Sequence, residues 1–428
     1  MPSPGPEQPL AYEILARSCG RPRVEAGDVV WVRPDRVMIH DAGGPRRLGP
    51  ELAALGVDVM HPDKLIVVSD HYAPGNSEAT AEVLRITREW ARSHGVGAFF
   101  DMEGISHTLI VEKCLVDPGM LLIGGDSHTP TAGALGALAF GMGQTDMLSV
   151  LALGETWLEV PRLILVELHG ELPWAVTAKD LVLEMIRSGI AGRCEGKVIE
   201  YRGEALSALD VEERSVLTNM ATEMSAMSAV IPYDSVTAAH FRRAGREPSR
   251  GEDGGAGPAP EERVSLACGS VVPLVALPHS LREIAPAAEL QGVAVSRAYI
   301  GACTGAKLAD LMMAAEVLRG RRVADGVLLH VAPASEDVLR AATRNGTLEV
   351  LLESGAKMLP TGCGACPGFG NGLLSAGDVC ISTTNRNFPG RMGSTEARVF
   401  LGSPWTVAAS AVAGRVCDPR EVAAERAG

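Results

Sequence analysis

Residues 64–69, KLIVVS, form a short continuous apolar run that breaks at once into Asp70-His71. A run this short, closed by a polar turn, predicts a strand buried on both faces of a parallel sheet. In such sheets the loops beyond the carboxyl ends of the strands carry the functional groups. The pattern recurs. Residues 97–100 lead to Asp101-Met-Glu, and 120–123 lead to Gly124-Gly-Asp-Ser-His-Thr-Pro130. Two strand ends opening into Asp/His loops point to one active-site rim.

The rest of the chain reads as further α/β units. Helical spacing marks 10–19, 50–55, 77–93, 178–188, 308–318, 336–345, 347–354 and 404–413, and brief strands are expected at 29–32, 36–39, 161–169, 298–300, 326–331 and 357–359. Residues 218–228 (TNMATEMSAMS) also predict a helix, with methionines as core filler. The composition break over 242–263, rich in Gly, Pro, Glu and Arg, predicts an exposed loop or linker. The first ten residues read as loose and the last ten as frayed.

A chain of 428 residues, 46% hydrophobic but only 4% aromatic, fits layered α/β domains packed on small side chains. The expected divisions are 1–160, carrying the Asp-His and Asp-Ser-His loops, 161–290, and 291–418, carrying the cysteines and an arginine loop, with 419–428 as a tail. A net charge of −13 without any Lys/Arg run argues against nucleic-acid binding. Residues 1–13 do not read as a signal peptide, and no apolar run of about 18 residues predicts a membrane span. Nine scattered cysteines then favour a reducing cytoplasm over a disulfide framework.

Three of those cysteines stand out. Cys363 and Cys366 lie in the glycine-rich loop Thr361-Gly-Cys-Gly-Ala-Cys-Pro-Gly-Phe-Gly370, and Cys303 sits in the small-residue turn Gly301-Ala-Cys-Thr304. A C-x-x-C loop and a distant third thiolate can hold three corners of an iron–sulfur cluster, leaving one iron open. The loop is also compatible with half a zinc site, a redox pair, or plain packing. Asp70-His71 and Asp126-Ser127-His128 each place a carboxylate beside an imidazole, the pairing that makes a usable general acid or base, and His107 lies between them. Singly, each histidine reads as a hydrogen-bonded structural group; together beside strand-end acids they point to function. The loop 382–391 (STTNRNFPGR) offers guanidinium forks suited to a di- or tricarboxylic acid, and Asn219 and Glu223 fall one turn apart on the predicted helix. No dinucleotide or phosphate-loop motif is present.

In order along the chain, D-H at 70–71, the His107 segment, D-S-H-T-P at 126–130, N-M-x-x-E at 219–223 with I-P-Y after it, V-A-L-P-H at 275–279, G-x-C-T, G-C-G-x-C and S-T-x-N-R-N-F-x-G-R resemble the aconitase family. The likeness is to its large subunits of two-chain dehydratases, acting on isopropylmalate or homoaconitate. It implies a three-domain aconitase-like fold around a central cluster site, without the family's swivel domain. It implies a [4Fe–4S] cluster on Cys303, Cys363 and Cys366, and carboxylate–imidazole pairs Asp70–His71, Asp126–His107 and Glu223–His128 around the open iron. By the same likeness Ser127, Asn219, Asn385, Arg386 and Arg391 hold substrate or cluster, and His71 protonates the departing hydroxyl. The base that removes the α-proton would come from a small swivel-domain partner subunit, leaving this chain inactive alone. The chain departs from the family at Gly305, usually Asn, at Lys307, usually Arg, and in the long 242–263 loop. These departures bear on substrate choice, so a dimethylmalate-type acid stands beside isopropylmalate and homocitrate. A cluster-dependent RNA-binding regulator and a zinc hydrolase are the rival readings; the acidic charge opposes the first, and the D-H and D-S-H-T blocks are unexplained by the second.

Overall fold

A computed structural model describes residues 8–249 and 257–424. Three parallel-strand sheets dominate it. The first is all parallel, in the spatial order Ala98–Asp101, Leu65–Ser69, Arg36–His40, Leu121–Gly124, Leu138–Gly141. Its interior strand Leu65–Ser69 is buried along its whole length, as an apolar run flanked on both faces must be. The crossover helix Glu78–His94 starts at a Ser77–Thr80 capping box and ends at Gly95, whose φ of +58° suits glycine.

The second sheet is also all parallel, in the order Ser228–Val230, Lys197–Arg202, Arg162–His169, Arg263–Ala267. The third has seven strands, in the order Ile284–Pro286, Leu274–Ala276, Arg398–Leu401, Val379–Ser382, Arg297–Ile300, Leu328–Val331, Lys357–Met358. Leu274–Ala276 pairs antiparallel with both its neighbours, and the remaining pairs are parallel. The strands from 274 to 286 thus hydrogen-bond into the third sheet, although the expected division lies at 290. A separate antiparallel ribbon pairs Val29–Val32 with Thr156–Glu159.

The carboxyl ends of the first and third sheets meet. The Cys363 amide donates to the Asp70 carbonyl at 3.3 Å, and Ile105 N donates to the Ala334 carbonyl at 2.8 Å. Gly104 bridges to Ser335, and a Cβ on Gly104 would lie 2.6 Å from Ser335 Cβ, so only glycine permits this approach.

Three expectations need correction. Residues 218–228 are not one helix: Val211–Asn219 ends it, a short turn Thr222–Met224 follows, Ser225 takes φ +60°, and Ser228–Val230 is a sheet strand. Pairing of that strand with Lys197–Arg202 outweighs the local helical spacing. Met220 and Met224 are nonetheless buried filler, as read, but Met227 is exposed. Of the two expectations for 242–263, the exposed loop holds for most of its described residues and the linker does not, because the stretch joins helix Ser235–Arg243 to strand Arg263–Ala267 of the second sheet; residues 250–256 lie outside the described part. Ser249 Oγ anchors its start, donating to Asp117 at 2.5 Å. The tail carries a helix, Pro419–Ala424, where fraying was expected.

Candidate active site

Most of the reactive side chains stand just past the end of a sheet strand or helix; His107 lies in the first turn of helix Ser106–Glu112. Asp70 and His71 follow Leu65–Ser69, and His71 Nδ1 meets Asp70 Oδ1 at 2.6 Å. The other Asp70 oxygen accepts from the Ser106 amide at 2.7 Å and lies 3.7 Å from Cys363 Sγ. Burial disfavours charge on His71, but the carboxylates of Asp70, Asp41 and Asp126 outweigh it and raise its pKa to about 10. Burial likewise works against the Asp70 carboxylate, yet His71 beside it holds its pKa well below the usual range.

Asp126 joins two further imidazoles. His107 Nε2 lies 2.8 Å from Asp126 Oδ1, and the same oxygen accepts from the His128 amide at 2.8 Å. His128 Nε2 is 3.0 Å from Glu223 Oε1, which also accepts from Arg386 Nε at 2.7 Å. His128 is raised to about 9, burial being overcome by Glu223 and Asp126. The predicted pairs Asp70–His71, His107–Asp126 and His128–Glu223 are therefore all present. His71 Nε2 to Asp126 Oδ2, at 3.9 Å, joins them into one cluster.

The cysteine turns close the other side. Cys303, Ala306, Ala334 and Ile105 pack together, with Cys363 against them. Asn219 Nδ2 donates to Cys303 Sγ at 3.2 Å, and Asn385 Nδ2 lies 3.8 Å from the same sulfur. The Asn385 carbonyl oxygen is 3.8 Å from Cys366 Sγ, and Arg391 Nη2 points at Cys366 Sγ from 3.5 Å. The C-x-x-C loop folds tightly: a Cβ on Gly364 would lie 2.2 Å from the Tyr299 hydroxyl, and one on Gly370 would strike the Gly364 carbonyl. Burial, then the neighbouring Cys366, pushes the Cys303 thiol up to about 12.

Several buried polar atoms of this region have no partner, among them Arg391 Nε, Glu223 Oε2, His107 Nδ1 and His40 Nδ1. Together with three free thiols, these unpartnered groups leave polar donors and acceptors that a bound group would satisfy. Thiolate donors in that setting fit an iron–sulfur group. Ser127 stands apart: it is exposed at the rim of a groove of about 1000 Å³ that also takes in Trp157, Thr222 and Met227.

Sequence reasoning missed His40 and Asp41. The His40 ring stacks on His71 with centroids 4.1 Å apart, and burial followed by the charge on His71 drives its pKa down to about 4. Asp41 accepts from the backbone amides of His71 and Tyr72, at 3.1 and 2.9 Å. Their signal is the same apolar strand ending in His-Asp, in Arg36–His40. The two departures have plain settings. Lys307 is buried, ion-paired with Asp310 at 2.7 Å and donating to the Cys303 carbonyl at 3.3 Å, and Gly305 packs on Thr383.

The family model described as Aconitase family (aconitate hydratase) matches residues 13–259 and 275–414. The 3-isopropylmalate dehydratase large subunit 1 of Methanopyrus kandleri is 42% identical, the match covering 96% of this chain and 98% of that one. The homoaconitase large subunit of Thermus thermophilus is 39% identical over 98% of this chain and 99% of its own length. Among solved structures, aconitase X from Thermococcus kodakaraensis in its holo-form shares the fold, with a TM-score of 0.51 at 14% identity, covering 90% of this chain and 92% of that one. With its strand-end carboxylate–imidazole pairs and three converging thiols, this chain belongs to the aconitase family.

Proposed function

We propose that this chain is the large subunit of an iron–sulfur hydro-lyase that isomerises a hydroxy di- or tricarboxylic acid by dehydration and rehydration. The leading substrate is 3-isopropylmalate, named for the 42%-identical relative described above; homoaconitate, named for the 39%-identical one, is the alternative. The observation that carries this reading is the meeting of Cys303, Cys363 and Cys366 with the Asp70–His71 and Asp126–His107 pairs at one place.

Cys303, Cys363 and Cys366 would hold a [4Fe–4S] cluster, which when bound supplies a Lewis-acid iron that makes a hydroxyl a better leaving group. The chain's own residues do the rest. His71, kept protonated by Asp70, delivers its proton to the departing oxygen, and the Asp70 carboxylate stabilises the imidazolium. His107 and His128, each backed by a carboxylate, steer the water that departs and returns. Arg386 and Arg391 supply cationic forks for substrate carboxylates, the unpartnered Arg391 Nε being the donor left for that task. Asn219 and Asn385 donate to Cys303 sulfur and fix the turn. Ser127 meets substrate from the rim.

The α-proton is taken by a base from a small swivel-domain partner subunit. We place the protein in the cytoplasm, since nine thiols in such a chain call for a reducing compartment; no described helix is long and apolar enough to cross a membrane. We read three domains near 1–160, 161–290 and 291–418, each built on one of the sheets, with strands Leu274–Ala276 and Ile284–Pro286 crossing from the second stretch into the third sheet. The deciding experiment mixes the anaerobically purified, brown chain with its small subunit and offers 3-isopropylmalate, homoaconitate and 2,3-dimethylmalate. Turnover only in the mixture supports the reading. A colourless zinc protein, or full turnover by this chain alone, refutes it.

A further inference from the structure

Lys179 is a charged side chain that the chemistry above does not use, and it is 1% exposed. It lies in the first turn of helix Ala178–Arg187, which packs with the second sheet, and it reaches across to the third. Its ammonium donates to Thr304 Oγ1 at 3.3 Å, to the Thr384 carbonyl at 2.9 Å and to the Thr383 carbonyl. Thr304 Oγ1 also donates to the Thr383 carbonyl, at 2.9 Å. Thr304 follows Cys303, and Thr383-Thr384 lead into Asn385-Arg386. One cation therefore ties the cysteine turn to the arginine loop.

The base of the lysine is itself anchored. Asp180 accepts from the Thr177 amide at 2.8 Å, from Thr177 Oγ1 at 2.9 Å and from the Leu274 amide at 2.9 Å, pinning the helix start to strand Leu274–Ala276. Lysine is almost never fully buried without partners, because desolvating an ammonium costs several kcal/mol. Here three oxygens from two separate loops offset that cost. Mere filling of the space would be better served by methionine.

We propose that Lys179 is a positioning residue, locking the Cys303 turn and the Asn385–Arg386 loop at the spacing where Asn385 meets both Cys303 and Cys366. The Asn385 amide group stands 3.8 Å from each sulfur, so a small slip between the loops breaks both contacts. The inference rests on reading those cysteines as cluster ligands, and its test keeps the two separable.

The test compares Lys179→Met, Lys179→Arg and Thr304→Val with Val182→Ala, a buried truncation on the same helix that leaves the clamp intact. Two readouts are taken: iron loss to EDTA from the anaerobically reconstituted chain, and amide hydrogen exchange of segments 301–305 and 382–386 in the iron-free chain. Iron should leave Lys179→Met about 10-fold faster than wild type or Val182→Ala, the scale of outer-sphere changes around a metal. Both segments should lose protection together, with Lys179→Arg and Thr304→Val intermediate. Iron loss from Val182→Ala as fast as from Lys179→Met, or wild-type exchange in both segments, overturns the proposal. Should Lys179→Met fail to fold, Thr304→Val decides: unchanged exchange there overturns it equally. A wild-type chain that takes up no iron sinks the cluster reading alone, since the exchange comparison needs no metal.

Discussion

Thr383 fills the space that any side chain at position 305 would need: a Cβ built on Gly305 lies 2.1 Å from Thr383 Cβ and 2.3 Å from its Oγ1. The threonine cannot easily yield, because its hydroxyl accepts from the Gly301 amide at 2.9 Å and donates to the Gly301 carbonyl at 2.8 Å. Glycine at position 305 is thus a packing requirement of this chain. Gly305→Ala should cost about 1–3 kcal/mol, the range for overpacked cores, and lower iron uptake by displacing Cys303. Thermal unfolding and iron analysis check this; an unchanged midpoint would show that the turn moves freely and that packing is not the reason for the glycine.

Asp70 sets the protonation of His71. With the carboxylate at 2.6 Å the imidazole keeps its proton to about pH 10, and burial alone would have stripped it far earlier. The folded pKa of His71 exceeds the unfolded one, so the contribution of His71 to stability is complete below about pH 6.5 and drains away as pH rises through 10. Asp70→Asn removes the stabilising charge. Turnover of the two-subunit enzyme should fall by about 10²–10⁴ at pH 8, with an alkaline limb shifted down toward neutrality. A pH–rate profile reads both; a variant with the wild-type alkaline limb would remove Asp70 from that role.

How far the site could be read beforehand depended on how local each determinant is. Asp70-His71 and Asp126–His128 were visible because an uninterrupted apolar run ends at them, and burial on both faces writes that run directly into the sequence. His40-Asp41 follows a strand with the same logic, but His40 is itself the last strand residue, so the break in polarity is blurred. Glu223 was singled out by its one-turn spacing from Asn219 on a predicted helix, and was thereby misplaced on that helix. The turn that carries it depends on Ser228–Val230 pairing with a strand about thirty residues upstream, which no window of 11–18 residues contains. Lys179 left no trace at all: a lysine in the first turn of an amphipathic helix reads as solvated, and only the distant Thr304 and Thr383 make it interior.

Cys363 is the thiol that touches the acid–base side of the site, with Asp70 Oδ2 3.7 Å from its sulfur. It contributes little to any core, being only packed against the small group of Cys303, Ala306, Ala334 and Ile105. Cys363→Ser should therefore lose the visible iron–sulfur absorption while changing stability by less than about 1 kcal/mol, since the substitution is nearly isosteric. Absorption spectra and denaturant melts of the anaerobic protein decide it. Full iron content in the serine variant would contradict the ligand assignment.

Glu223 Oε1 holds two cationic partners at once, His128 at 3.0 Å and Arg386 at 2.7 Å, with its side chain 1% exposed. Burial works against its charge, and His128 and Arg386 reverse that, leaving the carboxyl below its ordinary pKa. Glu223→Gln leaves both partners facing a neutral amide, and losing one member of a buried pair costs about 3 kcal/mol. The loss should itself depend on pH. His128 is raised to about 9 in the folded chain, so its share of the stabilisation is whole below about pH 6.5 and disappears as pH climbs through 9, whereas the Arg386 share persists. The stability gap between wild type and Glu223→Gln should consequently be wider at pH 6 than at pH 9.5, measured by denaturant unfolding at both. A gap of equal size at the two values would mean that the His128 contact carries no net charge interaction, and that Arg386 alone anchors Glu223.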